Sequence, residues 1–223
     1  MLFGEIVEPG TRALIFDDDE FPEYKSIEPE WKGKITNEIE TLLFVESEKI
    51  LTLVKKFVIA SKTPTLSLVN GGINFFEVSQ NKYVVLCEDN KNYCSGELIT
   101  ILKDYILKAK FLYSMTSKAI VSYENPDLTN RSDTLIKCLS TNEANTYGYT
   151  KLESPNIITG LGANILSYSV HTNLQCSLFN AYMDNSPLDS RNSTPILNLI
   201  GKLGFTVLPC DLKMNAPAHN LYM

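Results

Sequence analysis

Few residues of this sequence have the types and spacings that catalysis or metal binding requires. The two histidines, His171 and His219, are isolated, so they form neither a general-base pair nor a metal site. No two cysteines form a CxxC pair, and most lie in apolar stretches, where a thiol behaves as a small hydrophobic side chain. They are Cys87, Cys94, Cys138, Cys176 and Cys210. Because GxSxG, HExxH and P-loop motifs are also absent, we predict a binding protein with no catalytic residues, metal site or cofactor.

Three short segments could contact an ion or a phosphate. Gly160-Leu161-Gly162 opens a predicted helix, whose free backbone N–H groups could hold a phosphate, but close packing of the helix on a sheet explains the glycines better. Asn70-Gly71-Gly72 is typical of a hairpin turn. Asp17-Asp18-Asp19-Glu20 lacks the alternating spacing and glycine of a calcium loop. We interpret it as a solvated acidic loop, with attraction to a basic partner as the alternative.

The charge is concentrated in that acidic region. The net charge of the 223 residues is −6, and between Asp17 and Glu30 seven acidic residues accompany Lys25 alone. The sequence contains no run of lysine and arginine that could neutralise a row of phosphates, so nucleic-acid binding is not expected. Glu5 and Glu8 interrupt the N-terminal apolar residues, so a signal peptide is not expected, and no apolar run is long enough to cross a membrane. An odd number of cysteines is typical of a reducing compartment. These observations together predict a soluble cytoplasmic protein.

The hydrophobic pattern predicts one α/β domain. Strands are predicted at 3–7, 12–16, 41–45, 57–60, 65–69, 74–78, 83–87, 111–115, 120–123, 134–139 and 174–183. Helices are predicted from Ser95, over 158–170, and from about Ser186 to a C-cap at Gly204. Strands alternate with helices in the second half, whereas the first half reads as an antiparallel meander. We therefore expect a three-layer αβα domain with a mixed sheet over residues 1–208, including an acidic loop at 17–30, followed by a flexible tail at 209–223.

The end of the tail has the clearest binding chemistry. Leu221-Tyr222-Met223 places three apolar side chains after a polar segment, where no core requires them. The terminal carboxylate, the aromatic ring and the hydroxyl could together enter a groove, with the carboxylate on a lysine or on backbone N–H groups. These three residues are the predicted partner-binding site.

Three segments of the sequence resemble one family. Leu152-Glu153-Ser154-Pro155 leads into Asn156-Ile157, and the helix that follows contains Leu166-Ser167-Tyr168. This stretch resembles the proteasome assembly chaperone 1 family. Phe3-Gly4-Glu5-Ile6-Val7 is similar to the start of its animal members, and Leu221-Tyr222-Met223 is similar to the family's hydrophobic-tyrosine-any ending.

The resemblance implies a scaffold protein of the cytoplasm and nucleus without catalytic activity. Such a chaperone forms a heterodimer with a proteasome assembly chaperone 2-like subunit and sits on the outer face of the 20S α ring. Its tail enters a pocket between α subunits. On this sequence, Leu221 would fill the hydrophobic part of the pocket, Tyr222 would pack and hydrogen-bond at its wall, and the carboxylate of Met223 would meet a lysine.

Two other functions remain open at this stage. A PDZ domain accepts hydrophobic-x-hydrophobic endings, and Leu221-x-Met223 fits that pattern. A phosphorylase-like hydrolase or transferase would instead need a pocket of converging ionisable groups, for which Glu77, Asp104 and Tyr168 are candidates.

Overall fold

The computed structural model describes residues 27–35, 38–88, 92–124 and 134–209. The predicted strands at 3–7 and 12–16, most of the acidic loop, and the tail from residue 210 lie outside these ranges. The described strands are β1 (Trp31–Gly33), β2 (Ile39–Val45), β3 (Leu66–Leu68), β4 (Ile73–Ser79), β5 (Lys82–Cys87), β6 (Ala109–Ala119), β7 (Thr134–Ser140) and β8 (Cys176–Met183). The described α-helices are α1 (Glu48–Val54), α2 (Ser95–Lys108), α3 (Leu161–Thr172) and α4 (Ser190–Lys202).

The described strands form one mixed sheet in the order β1-β3-β4-β5-β2-β6-β8-β7. The four central strands β5, β2, β6 and β8 are parallel, and the strands outside them pair antiparallel. Asn70-Gly71-Gly72 joins β3 to β4, which confirms the predicted hairpin turn. The Asn70 side chain also fastens the end of the acidic loop, because it accepts a hydrogen bond from Glu30 N–H and donates one to Glu28 O.

Two helical layers cover the sheet. Leu43 and Val45 on β2 point to the layer of α1 and α4, whereas Leu42 and Phe44 point to the layer of α2 and α3. All four side chains are buried, and each contributes roughly 1.5–3 kcal/mol to folding. The predicted three-layer αβα architecture with a mixed sheet is confirmed.

Two secondary-structure predictions were wrong. The predicted strand at 57–60 lies largely in a π-helical turn, Lys55–Ile59, that continues α1, a helix that the sequence pattern did not reveal. Three consecutive buried residues in that turn, at 57–59, imitate the pattern of a buried strand. The predicted strand at 111–115 is confirmed as part of β6, whereas the predicted strand at 120–123 is largely a 3-10 turn, Ile120–Ser122.

The last described helix leads to the tail. The Asp189 carboxylate accepts hydrogen bonds from the N–H groups of Arg191 and Asn192, which caps the first turn of α4. Gly204, with φ of 85°, ends the helical region as predicted. The α4 helix begins four residues after the predicted start at Ser186, because Asp189 supplies the cap.

Candidate functional site

A cleft of about 590 Å³ lies at the carboxyl ends of β2 and β5. After β2 the chain turns to α1 on one face of the sheet, and after β5 it turns to α2 on the other face. A gap opens where the connections that follow two neighbouring parallel strands leave on opposite faces of the sheet, and α/β proteins commonly bind ligands in such a gap. The lining includes Glu46 and Ser47 after β2, Cys87 at the end of β5, and Thr116 on β6.

Glu46 is held in this cleft by two hydrogen bonds. Its carboxylate accepts hydrogen bonds from the N–H groups of Leu161 at 3.0 Å and Gly162 at 2.9 Å, in the first turn of α3. Burial raises the pKa of Glu46, and the bonds from Gly162 and Leu161 offset part of that rise. The N-terminus of α3 is therefore already occupied by an anion of the protein itself.

The two glycines of the Gly160-Leu161-Gly162 motif provide the space for this arrangement. A Cβ on Gly162 would lie 2.3 Å from Ser114 Oγ and 2.7 Å from Glu46 Oε1. Gly160 has φ of 104°, and a Cβ there would lie 2.8 Å from Glu46 Oε2. The motif thus serves close packing of α3 against the sheet, as the favoured interpretation predicted, and the glycines leave room for the carboxylate of Glu46 rather than a bound phosphate.

The other lining groups do not form a nucleophile and base pair. Ser47 Oγ lies 2.8 Å from Ser117 Oγ, and the Lys55 ammonium lies 2.6 Å from a Glu88 carboxylate oxygen. Burial raises the pKa of the Cys87 thiol well above its ordinary value, and the charge of Glu46 raises it further, so the thiolate nucleophile is disfavoured. Among the described residues, no group of three His, Cys, Asp or Glu side chains is placed to hold a metal ion.

The candidate residues of the enzyme alternative do not meet at this cleft. Glu77 lies on β4, Asp104 on α2 and Tyr168 on α3, and none of the three lines it. Sequence reasoning did not identify Glu46, because it is separated from its partner Leu161 by 115 positions. The two glycines were the available signal, but they do not indicate which side chain fills the space beside them.

The predicted binding residues Leu221, Tyr222 and Met223 lie outside the described residues. The structure does describe the residues that precede the predicted tail. Phe205 is buried in the core shared by α1 and α4, and Leu208 N–H donates a 2.8 Å hydrogen bond to Phe57 O in the π-helical turn. The chain therefore leaves the described part of the structure beside the layer of α1 and α4.

A second polar cluster lies beside the connection from β7 to α3, within the stretch that carries the family resemblance. The buried Lys137 ammonium lies 2.6 Å from a Glu153 carboxylate oxygen, and the Tyr123 hydroxyl donates to the other oxygen at 3.0 Å. Burial opposes the charge of Glu153, but the hydrogen bonds to its carboxylate and the charge of Lys137 together outweigh burial and lower the pKa of Glu153 below its ordinary value. This cluster holds the connection against the edge strand and is structural.

The same fold occurs in proteasome-related proteins. The archaeal proteasome-assembly chaperone homologue PbaA of Pyrococcus furiosus matches with a TM-score of 0.56 and 12% identity, over 81% of this chain and 88% of its own. The archaeal proteasome activator PbaB of the same organism matches with a TM-score of 0.53 and 10% identity, over 83% and 91% of the two chains. A Mycobacterium tuberculosis protein of unknown function matches with a TM-score of 0.59 and 11% identity, over 85% and 79%.

At these identities the comparison establishes a shared fold. The sequence matches no protein-family model and no curated protein. Within the described ranges, no helix is both long and apolar enough to cross a membrane.

Proposed function

We propose that this chain is a proteasome assembly chaperone that acts by binding rather than by catalysis. In this proposal it pairs with a second chaperone of similar fold, and the pair sits on the outer face of the 20S α ring in the cytoplasm and nucleus. The observation that carries the proposal is the fold shared with PbaA and PbaB over more than four fifths of the chain. The Leu221-Tyr222-Met223 ending adds the binding element.

The proposed contact is a pocket between adjacent α subunits that receives the tail. Leu221 fills an apolar recess, the Tyr222 ring packs against the wall, and the Met223 carboxylate pairs with a lysine. From Pro209 to the last residue, an extended chain spans about 45 Å at about 3.3 Å per residue. The tail can therefore reach a pocket well away from the surface of the domain.

The chemistry of the cleft supports a role without catalysis. Its most buried carboxylate is engaged by two backbone N–H groups of α3, and its cysteine is held as a thiol. Neither group is arranged as an activated nucleophile beside a base.

The test is a pulldown from cell extract, comparing the intact chain with a chain truncated after Asn220. We expect the intact chain to capture 20S α subunits and a second chaperone, and the truncated chain to lose the α subunits only. Leu212→Ala is a matched control, because it removes an apolar tail residue away from the tip. Capture of neither partner by the intact chain would contradict the proposal.

A PDZ domain and a pocket between α subunits can be told apart by which tail residue contributes most to binding. For a pocket between α subunits, Tyr222→Ala should weaken binding by about 2 kcal/mol, as for a buried aromatic anchor. For a PDZ domain, Met223→Asp should abolish binding and Tyr222→Ala should have little effect. Binding constants of the two variants for purified 20S proteasome separate these possibilities.

A further inference from the structure

The two helical layers of the domain carry different charges. Residues 48–62, which form α1 and its π-helical continuation, contain four lysines and a single acid, Glu48. Residues 190–208, which form α4 and the segment after it, contain Arg191 and Lys202 and no acid. In the opposite layer, α2 has two basic and two acidic residues, and α3 has only His171. The layer of α1 and α4 is therefore basic in a chain whose net charge is −6.

Four lysines lie on this layer and the sheet beneath it, and three of them adjoin residues 204–208, which lead to the predicted tail. We name them the basic collar: Lys56, Lys62, Lys82 and Lys202. Lys82 Nζ donates to Gly204 O at 3.2 Å, and Lys202 lies two residues before that glycine. Lys56 precedes Phe57, the residue whose carbonyl receives the Leu208 N–H.

The charges of the basic collar are not neutralised by carboxylates of the described part of the chain. Lys62 Nζ donates to the carbonyls of Glu77 and Val78, while Lys56 and Lys202 lie over the rings of Phe57 and Tyr149. Between described residues, ion pairs within 4.0 Å join Lys55 to Glu88 and Lys137 to Glu153, and neither involves the collar.

Three acidic residues on neighbouring elements are directed elsewhere. Glu77 shares its side of β4 with Ile73 and Phe75, which pack in the core of the α2 and α3 layer. The Asp189 carboxylate caps α4, and Asp184 Oδ1 accepts from Ser186. The collar therefore presents net positive charge to whatever approaches the start of the tail.

We propose that the basic collar docks on an acidic protein surface around the pocket that receives the tail. This inference rests on the proposed function, since it names the surface by which the same partner is held. Once the tail is bound, the collar stays within about 45 Å of the pocket. The collar and the acidic surface around the pocket then have a high effective concentration relative to each other. Opposite charges then steer the encounter and fix its orientation, with an effect that salt screens.

The test compares two double charge reversals that are matched by local structure. Lys56→Glu with Lys202→Glu changes the collar, and Lys110→Glu with Lys108→Glu is the control. Lys56 and Lys110 each lie over a neighbouring phenylalanine ring, at 5.1 and 5.4 Å, and Lys202 and Lys108 each lie in the last turn of a helix. Both variants change the net charge equally, and equal melting temperatures verify that both fold.

Association rates are measured with purified 20S proteasome at 50 and 500 mM salt. We expect the collar variant to associate on the order of tenfold more slowly at low salt, with most of the difference lost at high salt, and the control to change by less than about twofold. Equal effects of the two variants, or no effect of the collar variant, overturn the inference and leave the proposed function intact. Absence of 20S binding by the intact chain overturns both.

Two alternative partners of the basic collar are the acidic stretch of the chain itself and nucleic acid. Deleting residues 1–26 should leave the collar effect unchanged; if deletion abolishes it, the acidic stretch covers the collar and the inference is overturned. A duplex DNA probe at 150 mM salt should bind the intact chain no better than the collar variant. DNA binding that the collar reversal removes would also overturn the inference, in favour of a nucleic-acid surface.

Discussion

Replacing Glu46 by alanine should destabilise the domain. The backbone N–H groups of Leu161 and Gly162 would lose the carboxylate that accepts their hydrogen bonds and would remain buried without an acceptor. Hydrogen bonds to a charged group each contribute roughly 1.5–3 kcal/mol. Desolvation of the carboxylate, which is visible in its raised pKa, offsets part of this gain. With two such bonds, we expect Glu46→Ala to lower the free energy of unfolding by about 2–4 kcal/mol.

Chemical denaturation followed by circular dichroism measures this change. Glu48→Ala is the matched control, since Glu48 is an exposed acid two residues further along, and it should change stability by less than about 0.5 kcal/mol. If the two variants lose equal stability, or if Glu46→Ala loses less than about 1 kcal/mol, the carboxylate does not fasten α3 to the sheet.

The pH dependence gives a second test of the same group. An acid whose pKa is raised by folding binds its proton more tightly in the folded state, so its contribution is complete below the unfolded pKa and is lost as pH rises through the folded pKa. Glutamine at position 46 cannot titrate. The stability advantage of the natural chain over Glu46→Gln should therefore shrink over the interval from the ordinary pKa of glutamate, about 4.3, up through the raised pKa of the folded state. An advantage that grows over that interval would contradict this account of Glu46.

Two further predictions follow from the packing of α3 and from the polar cluster beside it. Gly162→Ala should lower the free energy of unfolding by about 1–3 kcal/mol, and adding Ser114→Ala should recover part of that loss. The reason is that Ser114 Oγ is the nearest atom to the new Cβ and has no hydrogen-bond partner among the described residues. Strict additivity in a double-mutant denaturation cycle would exclude the clash. Glu153→Gln should lower the free energy of unfolding by about 1–3 kcal/mol at pH 7, because the buried ammonium of Lys137, whose side chain is 7% exposed, loses its anionic partner. Solvent screening limits this effect, since the Glu153 side chain is half-exposed. The lowered pKa of Glu153 predicts that this difference disappears as pH falls through that pKa, and a difference that persists in acid would contradict it.

Local signals in the sequence predicted the elements whose side chains follow one clear period. The apolar spacing after Ser95 predicted α2, and Asn70-Gly71-Gly72 predicted the hairpin turn between β3 and β4. Gly204 predicted the end of the last described helix because a positive φ favours glycine. Such signals arise within a few residues and need no knowledge of the rest of the fold.

Features that depend on distant residues were not predictable in this way. The π-helical turn over Lys55–Ile59 buries consecutive side chains because the sheet lies under it, and a buried strand shows the same pattern. The Glu46 contact joins residues 115 positions apart. The basic collar brings together lysines from separate elements, so the sequence showed no basic cluster at all.

The most direct test of the proposed function is an electron cryomicroscopy structure of the chain bound to the 20S proteasome. The proposal predicts density for the Tyr222 ring inside a pocket between neighbouring α subunits, with the Met223 carboxylate beside a lysine. A well-resolved complex in which the last three residues lie outside every such pocket would contradict it.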